Sequence, residues 1–113
     1  MNDREWGFKT RAIHAGGGPD AATGARNVPV YQTTSFVFED TRDAADMFAL
    51  QKFGSIYTRI SNPTVNAFEE RMASLEGGIG SVATSSGMSA EFLTAAALAS
   101  SGDSFVTSSA IYG

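Results

Sequence analysis

Ser81-Val82-Ala83-Thr84 is a short β-favouring run. It leads into the small-residue turn Ser85-Ser86-Gly87-Met88 and then into an Ala-rich stretch reaching about Ser100. Gly102-Asp103 turns the chain, and Ser104-Phe105-Val106-Thr107-Ser108 has strand composition again. Strand, helix of about 13 residues and strand is the βαβ pattern, which pairs its strands in parallel with a right-handed crossover. The fold class expected is therefore α/β with a mainly parallel sheet. The turn also constrains function. The first N–H groups of a helix lack internal partners and the helix dipole adds partial positive charge there, so Ser86-Gly87-Met88 is a candidate phosphate cradle. The plainer alternative is an ordinary βα turn that happens to contain a glycine. No Gly-Lys-Ser/Thr ending and no Gly-x-Gly-x-x-Gly is present, so the turn suits a single phosphate on a small cofactor better than a nucleotide.

Upstream, residues 1 to about 40 have little periodicity. Gly16-Gly17-Gly18-Pro19-Asp20 and Thr23-Gly24-Ala25 are turn chemistry. Val28 to Phe38 is rich in β-formers, but Pro29 removes it from any central strand. The whole segment reads as an extended arm, and its Tyr31, Phe36, Val37 and Phe38 need a surface to cover, in the same chain or in a neighbouring subunit. Asp40 or Thr41 is expected to cap a short helix to about Gln51 with Ala44, Ala45 and Phe48 inward. Ile56 to Ile60 reads as a short extended piece. Asn62-Pro63-Thr64 is a strong helix start and Gly77-Gly78 a left-handed stop. Between them Val65, Phe68, Met72 and Leu75 recur at helical spacing, with Glu69, Glu70 and Arg71 expected outward.

Composition narrows the function classes. Of 113 residues 42% are hydrophobic, an ordinary globular fraction, and the formal net charge is −4. An acidic chain has no basic footprint for nucleic acid or an anionic membrane. There is no Cys, and His14 stands alone, so thiolate and histidine-cluster metal sites are excluded. The polar N-terminus (Met1 to Trp6) has no signal-peptide core, and the apolar run Phe92–Ala99 is too short to span a bilayer. These features lead to the expectation of a cytoplasmic protein without a metal. The chain stops directly after a strand-like run, and the expectation is that it is the N-terminal piece of a longer protein.

Three further residues carry candidate chemistry. Tyr57-x-Arg59 places a phenol and a guanidinium on one side of an extended segment, where both can reach phosphate oxygens, Arg bidentately. A solvated surface pair is the alternative. Tyr112 follows the second strand, on the same sheet edge as the cradle, and can stack on a flat cofactor or pass a proton through its hydroxyl. Its alternative is packing. His14-Ala15-Gly16-Gly17-Gly18 resembles an anion nest but is better read as a loop.

Together and in order, these pieces resemble the N-terminal part of the Cys/Met-metabolism pyridoxal-phosphate enzymes. The matching text is Thr10-Arg11-Ala12-Ile13-His14-Ala15-Gly16, Pro29-Val30-Tyr31-Gln32-Thr33-Thr34-Ser35-Phe36, Tyr57-Thr58-Arg59-Ile60-Ser61-Asn62-Pro63-Thr64, Leu75-Glu76-Gly77-Gly78, Ser86-Gly87-Met88-Ser89-Ala90, Gly102-Asp103 and Tyr112-Gly113. Phe48 to Tyr57 looks most like the O-acetylhomoserine sulfhydrylase branch. The resemblance implies the start of a type I aminotransferase-like fold, pyridoxal 5'-phosphate as cofactor, and a homo-oligomer built as a tetramer of tight dimers. It implies that residues 1–60 form an arm contacting the neighbouring subunit and that 61–113 begin the cofactor-binding large domain. It also implies that Tyr57 and Arg59 reach the neighbour's cofactor phosphate, and that Ser86, Gly87 and Met88 cradle the phosphate within the subunit. Tyr112 is implied to stack on the pyridine ring and assist proton transfer at the substrate amine.

The implied reaction is γ-replacement on an activated homoserine, O-acetylhomoserine plus sulfide or a thiol giving homocysteine or methionine, by a transferase. Methionine γ-lyase and cystathionine γ-synthase or lyase are alternatives within the class. A non-catalytic oligomerisation or binding piece is the alternative outside it, as is an unrelated phosphate-binding α/β module. The chain's two lysines, Lys9 and Lys52, both precede the cradle and lack the Ser/Thr-rich context of the family's Schiff-base lysine. The expectation is that the 113-residue chain alone is inactive.

Overall fold

A computed structural model describes residues 5–112. Met1 to Arg4, including most of the polar N-terminal run, and Gly113 of the Tyr112-Gly113 match lie outside the described residues. Four helices are present among the described residues: α1 (Phe8–His14), α2 (Thr41–Phe48), α3 (Pro63–Glu76) and α4 (Gly87–Leu98). By its contacts the chain divides into two units, one running to Ser81 and the other starting at Val82.

Local chemistry explains the helix ends. The Asp40 carboxylate accepts from Asp43 N at 2.8 Å and caps α2. The Asn62 side chain accepts from Thr64 N at 2.9 Å, Pro63 occupies the first turn, and Gly77 closes α3 at φ 72°. Ser86 caps α4 through Ser89 N at 3.1 Å. α2 stops at Phe48 rather than Gln51 because Leu50 takes a left-handed conformation, φ 56°, which folds Gln51 N back onto Asp46 O at 2.9 Å.

Several expectations are corrected. Residues 8–14, read as extended arm, form α1. Gly7 gives it no side-chain cap, so nothing local announces the helix; it is held by packing on α3, where Arg11 Nη1 donates to Ser74 O. The two expected strands, 81–84 and 104–108, are not formed, and no strand occurs among the described residues. Parallel strands are weak in isolation and are stabilised by flanking strands and by helices on both faces. An isolated antiparallel bridge joins Ser35 to Tyr57. Phe36 N donates to Ile56 O at 3.1 Å and Thr58 N to Thr34 O at 2.8 Å around it.

The inward faces of α2 and α3 also differ from their hydrophobic stripes. In α2 the buried residue is Asp43, while Ala45 and Phe48 are exposed; Phe48 leans on Phe38 with ring centroids 6.0 Å apart. In α3 the arm meets Ala67, Glu70, Arg71 and Ser74, while Val65 and Phe68 of the apolar stripe stay exposed. Arg71, expected outward, turns in, and its Nε donates to Ala15 O at 2.8 Å. Gly16 makes this approach possible. It has φ 69°, and a Cβ there would lie 2.2 Å from Ala67 O and 2.7 Å from Arg71 N. Ala15, 2% exposed, is the buried hydrophobic residue among those described. This face of α3 receives the arm because small residues let the backbones touch and because two arginines reach carbonyls there.

Gly16→Ala is expected to destabilise the first unit by more than about 2 kcal/mol, roughly the sum of left-handed strain (about 1–2 kcal/mol) and a backbone collision. Gly24→Ala has the same kind of backbone, φ 70°, with nothing within 4 Å, and is expected to cost the strain alone. Urea unfolding of the two variants checks the difference.

A second expectation concerns pH. Lys52 Nζ lies 2.5 Å from Asp43 Oδ1, and Glu39 N donates to Asp43 Oδ2 at 3.1 Å. Lys52 first and the Glu39 N–H second hold the Asp43 carboxyl below its ordinary range against burial, which raises it. The same bond to Asp43 raises Lys52, with burial opposing. The Asp43 contribution is present above about pH 4, where unfolded aspartate titrates, and is lost as pH falls through its lower folded value. The Lys52 contribution is present below about pH 10 and is lost as pH rises through its raised folded value. Amide exchange over residues 49–53, corrected for its intrinsic dependence on pH, is expected to be flat between these limits and to quicken beyond both. Lys52→Met is expected to remove the alkaline limb.

Candidate functional site

Tyr57 and Arg59 lie in the first unit, and Ser86, Gly87, Met88 and Tyr112 in the second. Each group is built by its own local structure.

Tyr57 sits on the bridge to Ser35, and immediately after it the chain turns. Ile60 N and Ser61 N both donate to Tyr57 O, at 2.8 and 3.0 Å. The Tyr57-x-Arg59 spacing therefore does not act through an extended strand, as expected, but through a turn that folds Arg59 back. The guanidinium carbon lies 5.4 Å from the centre of the Tyr57 ring. A cation–π contact at an exposed site is worth about 0.5–1 kcal/mol and leaves the guanidinium N–H groups free for an anion. Tyr57 is 36% exposed, and neither its hydroxyl nor the Arg59 guanidinium has a hydrogen-bond partner among the described residues. The pair is brought together and open.

Ser86 has extended backbone, φ −162° and ψ 161°, and its carbonyl accepts from Ala90 N at 3.1 Å and from Thr84 Oγ1 at 2.8 Å. Its hydroxyl takes the third N–H of α4, that of Ser89. The first two, Gly87 N–H and Met88 N–H, have no acceptor among the described residues. A Cβ at Gly87 would meet nothing within 4 Å, so the approach to these donors is open. The cap satisfies one orphan donor and leaves two adjacent ones at the start of a twelve-residue helix, which fits a phosphate group. Tyr112 is 87% exposed and makes no ring contact or hydrogen bond among the described residues.

His14 and the glycines that follow form no anion nest. Gly16 is spent on the close approach to α3. His14 Nδ1 lies 2.7 Å from Arg26 Nη2, so the ring is engaged by the Arg26 guanidinium. Trp6 meets the same ring edge-on at 6.3 Å. Of the two lysines, Lys52 is engaged by Asp43.

From the sequence, Asn62 is a helix cap and nothing more. In the structure the other end of its amide also holds the arm. Nδ2 donates to Tyr31 O at 2.9 Å and to Thr58 Oγ1 at 3.1 Å. Thr64 adds a parallel tie, accepting from Tyr31 N and donating to Pro29 O, each at 2.9 Å. An asparagine cap followed by a threonine was the available signal, but the partners of Nδ2 are 4 and 31 residues away and nothing local selects them.

No group of three or more His, Cys, Asp or Glu able to hold a metal occurs among the described residues, and no helix there is long and apolar enough to cross a membrane.

Residues 9–113 match the family of Cys/Met metabolism PLP-dependent enzymes, and the chain belongs to that family. Among its relatives is an O-acetyl-L-homoserine sulfhydrylase of Corynebacterium glutamicum, 52% identical over 112 residues, covering 99% of this chain and 26% of the relative. A homocysteine synthase of Schizosaccharomyces pombe is 50% identical over 106 residues, covering 94% and 25%. The chain thus spans about a quarter of the length of the curated relatives it matches. Among solved structures, an O-acetylhomoserine (thiol)-lyase from Campylobacter jejuni is 40% identical with a TM-score of 0.80, covering 88% of this chain and 24% of that one. It carries a pyridoxyl-lysine phosphate at its position 205. A cystathionine gamma synthase from Xanthomonas oryzae is 36% identical with a TM-score of 0.69, covering 81% and 22%. These neighbours are type I-fold enzymes, which agrees with the expected fold class at that level, although the strands expected here are not formed.

Removing the α4 cap by Ser86→Ala is expected to cost about 1 kcal/mol, against a few tenths for Ser86→Gly. Amide exchange at Ser89 should quicken in Ser86→Ala, and its protection factor measures the loss.

Proposed function

We propose that this chain is the N-terminal part of a pyridoxal-phosphate-dependent transferase of sulfur amino-acid metabolism, replacing the acetyl-bearing oxygen of O-acetylhomoserine with sulfide or a thiol. The observation that carries the reading is the first turn of α4, where a serine cap leaves the Gly87 and Met88 N–H groups adjacent, open and unpartnered. Sulfhydrylases and homocysteine synthases at 44–52% identity support this reaction over elimination or cystathionine synthesis.

Bound pyridoxal phosphate supplies an electron sink that loosens bonds at the α-carbon of an amino acid. The chain's own residues bind and orient it. Gly87 N–H and Met88 N–H donate to the phosphate, with Ser86 holding the turn open by occupying Ser89 N–H. Arg59 offers two parallel donors and Tyr57 a third to the phosphate of a neighbouring subunit, so the homo-oligomer is part of the site. The open ring of Tyr112 stacks on the cofactor, and its hydroxyl holds a proton near the substrate amine. The arm, residues 1–60, is the segment that contacts the neighbour. Lys52 is committed to Asp43, and the lysine that carries the cofactor is supplied by the whole protein, so the 113 residues alone are inactive. The whole enzyme is cytoplasmic and takes neither nucleic acid nor membrane as partner.

The full-length protein is expected to show the visible absorption band of lysine-bound cofactor. Arg59→Ala is expected to weaken cofactor retention about tenfold or more, the scale of hydrogen bonds to a charged group. In mixed oligomers the loss should fall on the subunit facing the variant. Unchanged retention would remove the cross-subunit role.

A further inference from the structure

We propose that Asn62 is a positioning residue for the Tyr57–Arg59 pair, and that it makes the placement of that pair depend on the docking of the arm. The proposal rests on the reading of Tyr57 and Arg59 as phosphate contacts.

Asn62 is 2% exposed and follows directly on the turn that begins at Tyr57. Its amide orientation is fixed, because Thr64 N–H only donates and Tyr31 O only accepts; Oδ1 therefore faces Thr64 and Nδ2 faces Tyr31. Both Nδ2 protons are used, one on Tyr31 O and one on Thr58 Oγ1. Thr58 in turn donates its hydroxyl proton to Thr33 O and its N–H to Thr34 O. Residue 58 lies between Tyr57 and Arg59, so the backbone that aims both side chains is held on one side by arm residues 33–36 and on the other by the Asn62 amide. That amide also grips the arm at Tyr31. Arm, turn and α3 cap thus meet at one buried side chain with almost no hydrogen-bonding capacity to spare. If residues 31–34 left their seat, Asn62 would lose Tyr31 O and Thr58 would lose Thr33 O and Thr34 O together, and the backbone between Tyr57 and Arg59 would lose its external ties.

Asn62→Asp separates the cap from the tie. The carboxylate keeps an acceptor for Thr64 N–H but turns a second oxygen onto Tyr31 O, an acceptor, and onto a Thr58 hydroxyl whose proton is already given to Thr33. In the full-length protein, titrated with pyridoxal 5'-phosphate, Asn62→Asp is expected to weaken cofactor binding about tenfold, the scale of one lost hydrogen bond acting through placement. Thr58→Val, which keeps shape and removes the hydroxyl, is expected to act in the same direction and serves where Asn62→Asp does not fold. In a background already carrying Tyr57→Phe and Arg59→Ala, adding either change is expected to have no further effect on cofactor affinity, because a residue acting through the pair is not additive with its loss. A merely structural role would add its full effect in that background and overturn the proposal. So would cofactor binding within about twofold of the parent in both Asn62→Asp and Thr58→Val while Arg59→Ala alone weakens it. If Arg59→Ala and Tyr57→Phe are themselves without effect, the phosphate-contact reading fails and the positioning role fails with it.

Discussion

The seat of the N-terminal arm on α3 is made of hydrogen bonds to backbone carbonyls, and the first unit hangs from two such anchors. At the start of the helix, Asn62 and Thr64 hold Pro29 and Tyr31. Further along, Arg71 holds Ala15 O and Ser74 O accepts from Arg11. Each bond is worth about 0.5–1.5 kcal/mol net, and a buried amide left unpaired costs more than that. The anchors are therefore specific as well as stabilising: the register of the arm cannot shift without leaving one buried N–H of the Asn62 amide unpaired. Gly16 is the steric half of the same device, since any side chain there would stand on the carbonyl of Ala67.

A polar seat has a consequence for the apolar side chains. The stripe Val65, Phe68, Met72 and Leu75 is not closed over by the arm: Val65 and Phe68 remain exposed. α4 is mostly apolar, Glu91 being its one charged residue, and Met88, Phe92, Leu93 and Leu98 are all exposed. That much apolar surface on one helix is what the interior of a larger structure would cover. Phe105, Val106 and Ile111 are exposed in the same way in the segment after α4. Relatives about four times as long have the further chain from which a sheet and helices can cover such surfaces.

What local chemistry controls was legible. Asp40 and Asn62 cap helices because each is a short acceptor placed before a helical run, and Gly77 closes α3 because it tolerates the left-handed turn; Ser86 was read as part of the turn, and its role as the α4 cap came from the structure. The two free N–H groups at Gly87 and Met88 follow from the Ser86 cap. What failed depended on partners distant in sequence. α1 has no cap and too few residues to stand alone, so its helix exists only against α3. Strands 81–84 and 104–108 have the right composition but no ladder. The Tyr57–Arg59 pair was anticipated with the wrong geometry, because the turn after Tyr57 is closed by Ile60 and Ser61 N–H groups rather than announced by glycine.

The sequence by itself determined the capped starts of α2 and α3, the small-residue turn that opens α4 and membership of the pyridoxal-phosphate family, since capping, turn formation and motif order reside in neighbouring residues. Tertiary structure alone decided which face of α3 receives the arm, that Arg71 and Asp43 turn inward, and that Asn62 joins arm to turn. Those outcomes depend on partners presented from elsewhere in the chain, often tens of residues away, and a side chain's sequence neighbours do not specify the distant acceptor it will find.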